Sequence, residues 1–193
     1  MINASVTASA PGSEPLSLTE AKDHLDIASA VTDHDTRIGD LIEAARQLWE
    51  KDTQRLTVSR TITEKLDQWP RVPPQKYRDW KAYYEPVISL DSITYYDANN
   101  ASQTLATSVY DFDPFYRVLH LKVDQEWPDI EDRWDAITIT YTAGQATVEE
   151  IDKQAMKLQL DIMFELRGTT KEKDACEKAY QNLVARYMRE TYP

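Results

Sequence analysis

Residues 136–166, AITITYTAGQATVEEIDKQAMKLQLDIMFEL, decide the fold class, because the apolar residues change their period within this stretch. From Ala136 to Thr142 apolar and polar residues alternate, as in a β-strand with one buried face, and Gly144 ends the strand. From Val148 onward apolar residues recur at helical spacing on two sides, as in a helix buried between neighbours. A strand is thus followed directly by a core helix, and because the order along the whole chain is helix, helix, sheet, helix, helix, the sequence predicts an α+β chain.

Helical periodicity occurs on both sides of a central β region. A capping-box spacing between Ser17 and Glu20 indicates where the first helix begins. Gly168 is a natural residue to end the third helix. The predicted helices cover residues 18–27, 34–52, 148–167 and about 171–190.

Period-two patterns between residues 56 and 144 predict a small antiparallel sheet with hairpin connections. The predicted strands cover residues 56–66, 87–96, 103–105, 109–112, 118–123 and 136–142. The predicted organisation is an extended N-terminal arm (1–15), a domain at 16–168, and a C-terminal helix and tail (169–193). A helical core of about four helices would then hold the sheet, inserted between the second and third helices.

The charge balance argues against a protein that grips nucleic acid. Lys and Arg number 22 against 33 Asp and Glu, a formal net charge of -11, whereas binding to phosphates requires a basic stripe. Only 4 residues are glycine. Without a glycine-rich loop to cradle a phosphate, P-loop and dinucleotide-binding functions have no support.

Cofactor, metal and membrane functions also lack a sequence signal. Cys176 is the only cysteine, which excludes an internal disulfide and a thiolate metal cluster and favours a reducing, intracellular place of folding. Residues 1–15 do not read as a signal peptide, and no stretch approaches the ~18 apolar residues that span a bilayer. We expect a soluble protein without a cofactor.

Catalytic residues are not indicated by any motif. His34, between two aspartates, is interpreted as part of a helix start, where acidic residues are favoured. Asp111 and Asp113 lie two apart on a predicted strand and would face one side. A small acidic hydrolase using this carboxylate pair is the alternative that stays open, although exposed acids on a sheet surface are the commoner explanation.

Two segments of opposite charge carry aromatic residues and are candidate protein interfaces. The acidic loop (residues 123–135) has six acids against one arginine; its candidates are Trp127, Ile130 and Trp134. The basic segment is residues 71–84; its candidates are Arg71, Lys76, Tyr77, Arg78, Trp80, Lys81, Tyr83 and Tyr84. Large aromatics on loops are typical of protein interfaces, so the two segments are predicted to meet head to tail between copies. Binding of single-stranded nucleic acid to the basic segment is a further alternative.

Several motifs in order resemble one family. They are LTEAKDHL at 18–25, LIEAAR at 41–46, PVISLDSITYY at 86–96, WP at 127–128 and ITITYTAG at 137–144. Together they resemble the head-tail connector (adaptor) proteins of long-tailed bacteriophages, over about residues 16–168.

The resemblance implies a non-enzymatic virion protein located in the neck, after assembly in the host cytoplasm. Such connectors form a ring, commonly of twelve copies, below the portal. They extend the DNA channel and provide the platform for a stopper or tail-completion protein. Implied partners are thus other copies, portal and tail proteins, with DNA only as passing cargo. Tyr187, Met188 and Tyr192 near the chain end are candidate portal contacts.

Overall fold

A computed structural model of the chain describes residues 4–70, 80–164 and 170–191, with the backbone alone at residues 4, 170–171 and 188–191. The helices are α1 (Leu18–His24), α2 (Asp35–Thr53), α3 (Glu150–Phe164) and α4 (Thr170–Thr191). The strands are β1 (Ala4–Ala8), β2 (Arg60–Leu66), β3 (Val87–Tyr96), β4 (Ser102–Thr104), β5 (Tyr110–Asp113), β6 (Val118–Leu121) and β7 (Ile137–Ala143). Among the described residues, no helix has the length and apolar character needed to cross a membrane.

The chain divides into two compact units. The β unit consists of the chain up to Ala10 together with Ser59–Gly144, and the helical unit consists of Pro11–Val58 together with the chain from Gln145 onward.

The β unit is built on an antiparallel sheet of five strands in the order β1-β2-β7-β3-β4, and β5 pairs with β6 in a separate hairpin. Every second residue of β2 and β7 is buried, because successive side chains of a strand point to opposite faces. Ile62, Ile93, Ile137 and Ile139 are fully buried on the covered face. The predicted antiparallel sheet is therefore confirmed.

The N-terminal residues take part in this sheet, which the predicted arm does not anticipate. Ala4–Ala8 pairs with β2 in antiparallel register, from Ala4 opposite Leu66 to Ala8 opposite Ile62. Ser5 and Thr7 are exposed, and Val6 and Ala8 are half-buried, so the strand alternates, but over only five residues and with small side chains. A strand this short, stabilised by a distant partner, gives a weak signal in its own sequence.

The helical unit buries two groups of side chains. The first group joins α1, α2 and α3 and consists of Leu16, Ala21, Ile38, Ile42, Ala45, Met156 and Leu160. The second joins α2, α3 and α4 and consists of Trp49, Ala155, Tyr180 and Tyr187. The α+β class is confirmed: the described residues form four helices, with six of their seven strands between α2 and α3 in chain order.

The predicted capping box at the first helix is present. The backbone N–H of Ser17 donates to the Glu20 carboxylate at 2.9 Å, and the Glu20 N–H donates to the Ser17 hydroxyl at 3.2 Å. Lys153 Nζ also contacts Glu20 at 2.6 Å. The bond from Lys153, followed by those from Ser17, lowers the pKa of Glu20 from 4.5 to about 2.

This pKa shift predicts an acid-dependent loss of stability that Glu20→Gln removes. A lowered folded-state pKa stabilises the protein above pH 4.5 and loses that effect as pH falls toward 2. Because the Glu20 side chain is 39% exposed, we expect no more than about 1 kcal/mol. Urea unfolding between pH 5 and pH 2 measures it. Glu43→Gln, on an exposed position of α2, is the control; an equal pH dependence in both variants would contradict the assignment.

Candidate protein-interface surfaces

The basic segment is described only from Trp80 onward; Arg71, Lys76, Tyr77 and Arg78 lie outside the described residues. From Trp80 the chain runs beside β6. The Leu119 N–H donates to the Trp80 carbonyl at 3.1 Å, and the Ala82 N–H donates to the Arg117 carbonyl at 2.9 Å. Residues 80–82 thus lie alongside β6 as a third extended segment next to the β5–β6 hairpin.

Trp80 is a core residue of the β unit. Its side chain is 5% exposed, and its indole N–H donates to Glu64 Oε2 at 2.8 Å. The indole also contacts the rings of Tyr141 and Phe112, with centroids 5.8 and 6.1 Å away. The prediction that Trp80 is a surface anchor is therefore corrected, because its side chain is buried. A buried indole cannot stack on the bases of a nucleic acid either.

Glu64 is the buried carboxylate that holds this segment on the sheet. It is 2% exposed and accepts hydrogen bonds from Trp80 Nε1 (2.8 Å), the Tyr83 N–H (2.8 Å) and the Tyr141 hydroxyl (2.6 Å). The Tyr84 N–H donates to the same hydroxyl at 3.2 Å. Burial, and then the negative charge of Glu64, raise the pKa of the Tyr141 hydroxyl, so that it stays a donor.

The rest of the described basic segment divides between surface and interior. Lys81 is exposed and forms a β-bridge with Val118. Tyr83 is 41% exposed and packs edge-on against the half-buried Tyr84, with ring centroids 4.9 Å apart. Lys81 and Tyr83 are therefore the described members of this segment that a partner can reach most readily.

The acidic loop has one large aromatic residue stacked on the protein and one exposed. Trp127 stacks on Trp69 with centroids 4.8 Å apart and planes at 6°, and Trp69 Nε1 donates to the Pro128 carbonyl at 2.8 Å. Ile130 is half-buried. Trp134 is 78% exposed, so it is the tryptophan of this loop that presents its ring to a partner.

The acidic loop is attached to the sheet on both sides of Trp134. Arg133 lies over the Tyr96 ring at 4.0 Å and donates to Asn100 Oδ1 at 2.9 Å. The Asp135 N–H donates to Asp67 Oδ1 at 2.9 Å. These contacts fix the loop on both sides of the exposed indole.

A third aromatic surface, which no sequence pattern predicts, lies at the turn between β5 and β6. This hairpin tip (residues 114–116) exposes 84% of Phe115 and 65% of Tyr116. Their rings pack edge-on with centroids 5.0 Å apart. The Asp113-Pro114 dipeptide is a turn signal, but a turn signal carries no information about whether the aromatics beside it are covered.

Tyr187, a candidate portal contact, is buried within the helical unit. It is 9% exposed, its ring lies 5.3 Å from that of Trp49, and its hydroxyl donates to Glu149 Oε2 at 2.8 Å. The described structure therefore places Tyr187 in the packing of α4 rather than on its free surface. The side chain of Met188 and the whole of Tyr192 lie outside the described residues.

The carboxylates of the alternative hydrolase site both bind nearby backbone. Asp111 Oδ1 accepts from the Phe112 N–H at 3.0 Å. Asp113 Oδ1 accepts from the N–H groups of Phe115 and Tyr116 at 2.8 and 3.0 Å. Asp113 therefore stabilises the hairpin turn, whereas Asp111 bonds within its own strand. Within the described ranges, no group of three or more His, Cys, Asp or Glu residues is arranged to hold a metal ion.

Comparison with known proteins gives matches among solved structures. No protein-family profile and no curated protein sequence matches the chain. The fold is that of chains from a gene transfer agent particle. A chain in the neck of the empty gene transfer agent (GTA) particle, computed with C6 symmetry, has a TM-score of 0.71 and 21% identity, covering 95% of this chain and 94% of that one.

Two further structures of the GTA particle agree. A chain in the neck of the native particle, computed with C12 symmetry, has a TM-score of 0.68 and 20% identity over 97% of this chain and 94% of that one. A chain in the virion of the native particle has a TM-score of 0.70 and 19% identity over 94% of each. The likeness therefore extends over nearly the whole of both chains.

Proposed function

We propose that the chain is a structural protein of the head-tail neck of a phage-like particle. The observation that carries this proposal is the fold match to neck chains over 95–97% of the sequence. The motifs that resemble head-tail connectors point to the same place in a virion. No catalytic step is part of this function, and no cofactor is needed for it.

More specifically, we propose that twelve copies of the chain form a connector ring below the portal. The C12 and C6 symmetries of the similar neck structures support a ring. A channel through such a ring has to let DNA pass without binding it. A chain with a net charge of -11 repels phosphates weakly. Portal on one side and a stopper or tail-completion protein on the other are the proposed neighbours.

Neighbouring copies would meet through the acidic loop of one chain and the basic segment of the next. Trp134 is exposed on the acidic loop, and Lys81 and Tyr83 are exposed on the basic segment. Because the two surfaces differ, the contact is heterologous, and a heterologous contact with a suitable rotation closes into a ring. Opposite charges at its rim fix the register of the partners.

Charge reversal at Arg78 and Lys81 tests this contact. The double variant Arg78→Glu, Lys81→Glu is expected to shift the population from rings to monomers, because like charges would then face each other across the interface. Native mass spectrometry and negative-stain images of the wild-type and variant chains, with and without the portal protein, measure the ring fraction.

The matched control is Lys51→Glu, Lys178→Glu, which changes the net charge equally at exposed positions of α2 and α4. It is expected to form rings like the wild type. A wild-type chain that stays monomeric even with portal present would reject the ring. Rings that survive the reversal at Arg78 and Lys81 would reject this contact but leave the ring standing.

A further inference from the structure

Strand β1 lies at one edge of the five-stranded sheet, next to β2. The Ser9 N–H, just beyond the strand, donates to the carbonyl of Thr61 on the opposite strand at 2.9 Å. In an antiparallel ladder, residues that exchange hydrogen bonds with the partner strand alternate with residues that do not. The backbone groups of Ser5, Thr7 and Ser9 therefore face β2.

The alternate residues of the strand, Val6 and Ala8, turn their backbone N–H and carbonyl groups away from β2. Within the described residues, nothing else binds these groups. Successive outward groups lie about 7 Å apart, since a strand rises about 3.4 Å per residue. An extended backbone presents donors and acceptors with the same spacing, so the outer edge of β1 is a template for an added strand.

The usual protection of a free sheet edge is missing from β1. Typical devices are charged side chains, proline, β-bulges and very short strands. Residues 1–13 contain no Asp, Glu, Lys or Arg, although 28% of the whole chain is charged. The first proline, Pro11, lies beyond the strand. The pairing of β1 with β2 is regular over all five residues, so a flat and uncharged edge is left open.

The opposite edge of the same sheet is protected. β4 has only three residues (Ser102–Thr104) and pairs with the last residues of β3. The first part of β3 has register shifts between Val87 and Ser89 and between Leu90 and Ser92. Such irregularities bend and twist a strand, which makes it a poor template. The contrast within one sheet favours β1 as the edge that receives a strand.

We propose that β1 receives a strand from another protein of the particle, which extends the sheet to six strands by β-augmentation. On the face of Val6 and Ala8, which are half-buried, the added strand carries apolar side chains. On the face of Ser5 and Thr7, which are exposed, it carries polar ones. The inference rests on the proposed neck function, because that function supplies protein neighbours other than copies of this chain.

The surroundings of β1 favour an uncharged strand. The charged residues of β2 that lie opposite β1 are Glu64 and Lys65. Glu64 is buried and hydrogen-bonded within the β unit, and Lys65 Nζ lies 3.2 Å from Asp135 Oδ2. Neither of them needs a charge on the added strand. The expected partner is therefore an uncharged segment in which apolar and polar residues alternate.

Another copy of this chain fits the edge less well. Two β1 strands that pair with each other require a two-fold axis between neighbouring copies, which a cyclic ring does not have. Pairing of β1 with β4 of the next copy is opposed by twist. Strands turn by about 20–25° per step, so β4, four steps from β1, is rotated by roughly 80–100°. Neighbours in a twelve-fold ring differ by only about 30°, so these two edges do not align.

Val6→Pro tests the proposal. Proline removes the outward N–H of residue 6, which does not take part in the ladder with β2, and edge strands tolerate it there. The variant is expected to form rings like the wild type. Purified portal ring and purified tail-completion protein of the same particle are the two probes, each titrated against the assembled ring. Affinity for one of them is expected to fall about 10-fold or more, because the added strand loses a donor for its carbonyl.

Val6→Ala is the matched control, because it shortens the same side chain but keeps the N–H. It is expected to lose much less affinity than Val6→Pro. If Val6→Pro binds both probes as the wild type does, or if Val6→Ala loses as much affinity, the added strand is rejected while the neck function stands. Loss of ring formation in Val6→Pro alone would make this edge a contact between copies and would also overturn the proposal.

Amide hydrogen exchange of the wild-type chain tests the contact without a substitution. In the ring alone, the outward amides of Val6 and Ala8 are expected to exchange fast, whereas those of Ser5 and Thr7 are protected by β2. Addition of the probe that binds is expected to slow Val6 and Ala8 and to leave the other two unchanged. Val6 and Ala8 amides that stay fast with both probes, or are slow in the ring alone, would overturn the proposal. A wild-type chain that neither forms rings nor binds either probe would reject the neck function itself.

Discussion

Glu64→Ala is expected to destabilise the β unit by about 2–5 kcal/mol, because it breaks a buried hydrogen-bond network and leaves its donors unsatisfied. The carboxylate is 2% exposed and accepts from Trp80, Tyr83 and Tyr141. Removing it leaves three donors without their acceptor, and two of them, the Trp80 indole N–H and the Tyr141 hydroxyl, are buried. Each buried donor left unsatisfied costs about 1–3 kcal/mol, so the loss exceeds that of the deleted side chain alone.

We expect the Glu64→Ala variant to lose structure first at residues 80–84 and only then in the rest of the β unit. Residues 80–84 contact the sheet through Glu64 and the Tyr141 hydroxyl, so their amides are expected to exchange with solvent much faster in the variant. Amide hydrogen exchange resolves this segment, and denaturant unfolding followed by tryptophan fluorescence gives the total change. Both measurements are needed, because a chain with two compact units is not assured of two-state unfolding.

Two variants separate the charge network from a general effect of removing an acid. Glu64→Gln keeps the shape and one acceptor oxygen, so it is expected to lose less than the alanine variant. Its amide would nevertheless face the donors that the second oxygen serves now. Asp91→Ala removes an exposed carboxylate from β3 that accepts from the Ser89 and Thr142 hydroxyls at 2.6 and 2.8 Å, and it is expected to cost about 1 kcal/mol, well below Glu64→Ala. Equal effects of Glu64→Ala and Asp91→Ala would contradict the role given to Glu64.

Local periodicity is sufficient to predict most elements of this fold. β3 covers Val87–Tyr96, as the alternation over 87–96 predicts, and β7 differs from its predicted range by one residue at each end. The C-terminal end of α1 and the start of α3 differ more, because helix ends depend on capping contacts as well as on the apolar face. Where burial repeats with a fixed period, the sequence contains the information directly.

Contacts between distant residues carry no such periodic signal. Glu64 is hydrogen-bonded to Trp80 and Tyr141, which lie 16 and 77 positions away in the chain. The sequence alone therefore gives no reason to expect that Trp80 is buried. The opposite case is that of Phe115 and Tyr116, which the turn leaves exposed although large aromatic side chains favour burial. Both cases depend on which segments pack together, and a residue's own chemistry does not determine that.

The candidate interfaces show the same division. The charge and aromatic content of the acidic loop and the basic segment can be read from the sequence. The exposure of Trp134 and the stacking of Trp127 on Trp69 cannot, because they depend on the end of β2 approaching the loop before β7. Composition thus identifies a segment, and the tertiary contacts decide which of its side chains are available.

Trp49 is the second position where a single change has a large expected effect, this time in the helical unit. It is fully buried, and its ring lies edge-on to Tyr180 and Tyr187 at 5.9 and 5.3 Å. Trp49→Ala is expected to cost about 3–5 kcal/mol, as buried tryptophans do when truncated. Since both tyrosines belong to α4, hydrogen exchange should show α4 opening ahead of α1, α2 and α3.

The indole N–H of Trp49 also donates a hydrogen bond to a buried carboxyl group. It donates to Asp152 Oδ1 at 2.7 Å, and Asp152 is fully buried. Burial raises the pKa of Asp152, and the bond from Trp49 opposes that rise, as do Gln145 and the positive charge of Arg55. Trp49→Phe keeps an aromatic ring but removes this donor. The charged form of Asp152 is then less well stabilised, and its pKa rises further.

The cost of Trp49→Phe should therefore grow with pH. An acid with a raised folded-state pKa holds its proton more tightly in the folded chain than in the unfolded one. Its favourable contribution to stability is present at low pH and declines as pH rises through that pKa. The difference in unfolding free energy between Trp49→Phe and the wild type is expected to be smallest near pH 3.5 and larger at pH 7. Urea unfolding at both values measures it.

An Asp152→Asn background decides whether this acid is the cause. Asparagine keeps an acceptor for the indole N–H but cannot ionise, so the penalty for Trp49→Phe should become smaller at pH 7 and nearly independent of pH. Because Trp49 and Asp152 are in contact, the two changes are expected to be non-additive by about 0.5–3 kcal/mol. If Trp49→Phe costs the same at both pH values in both backgrounds, the tryptophan acts by packing alone, and its hydrogen bond to Asp152 does not stabilise the charge.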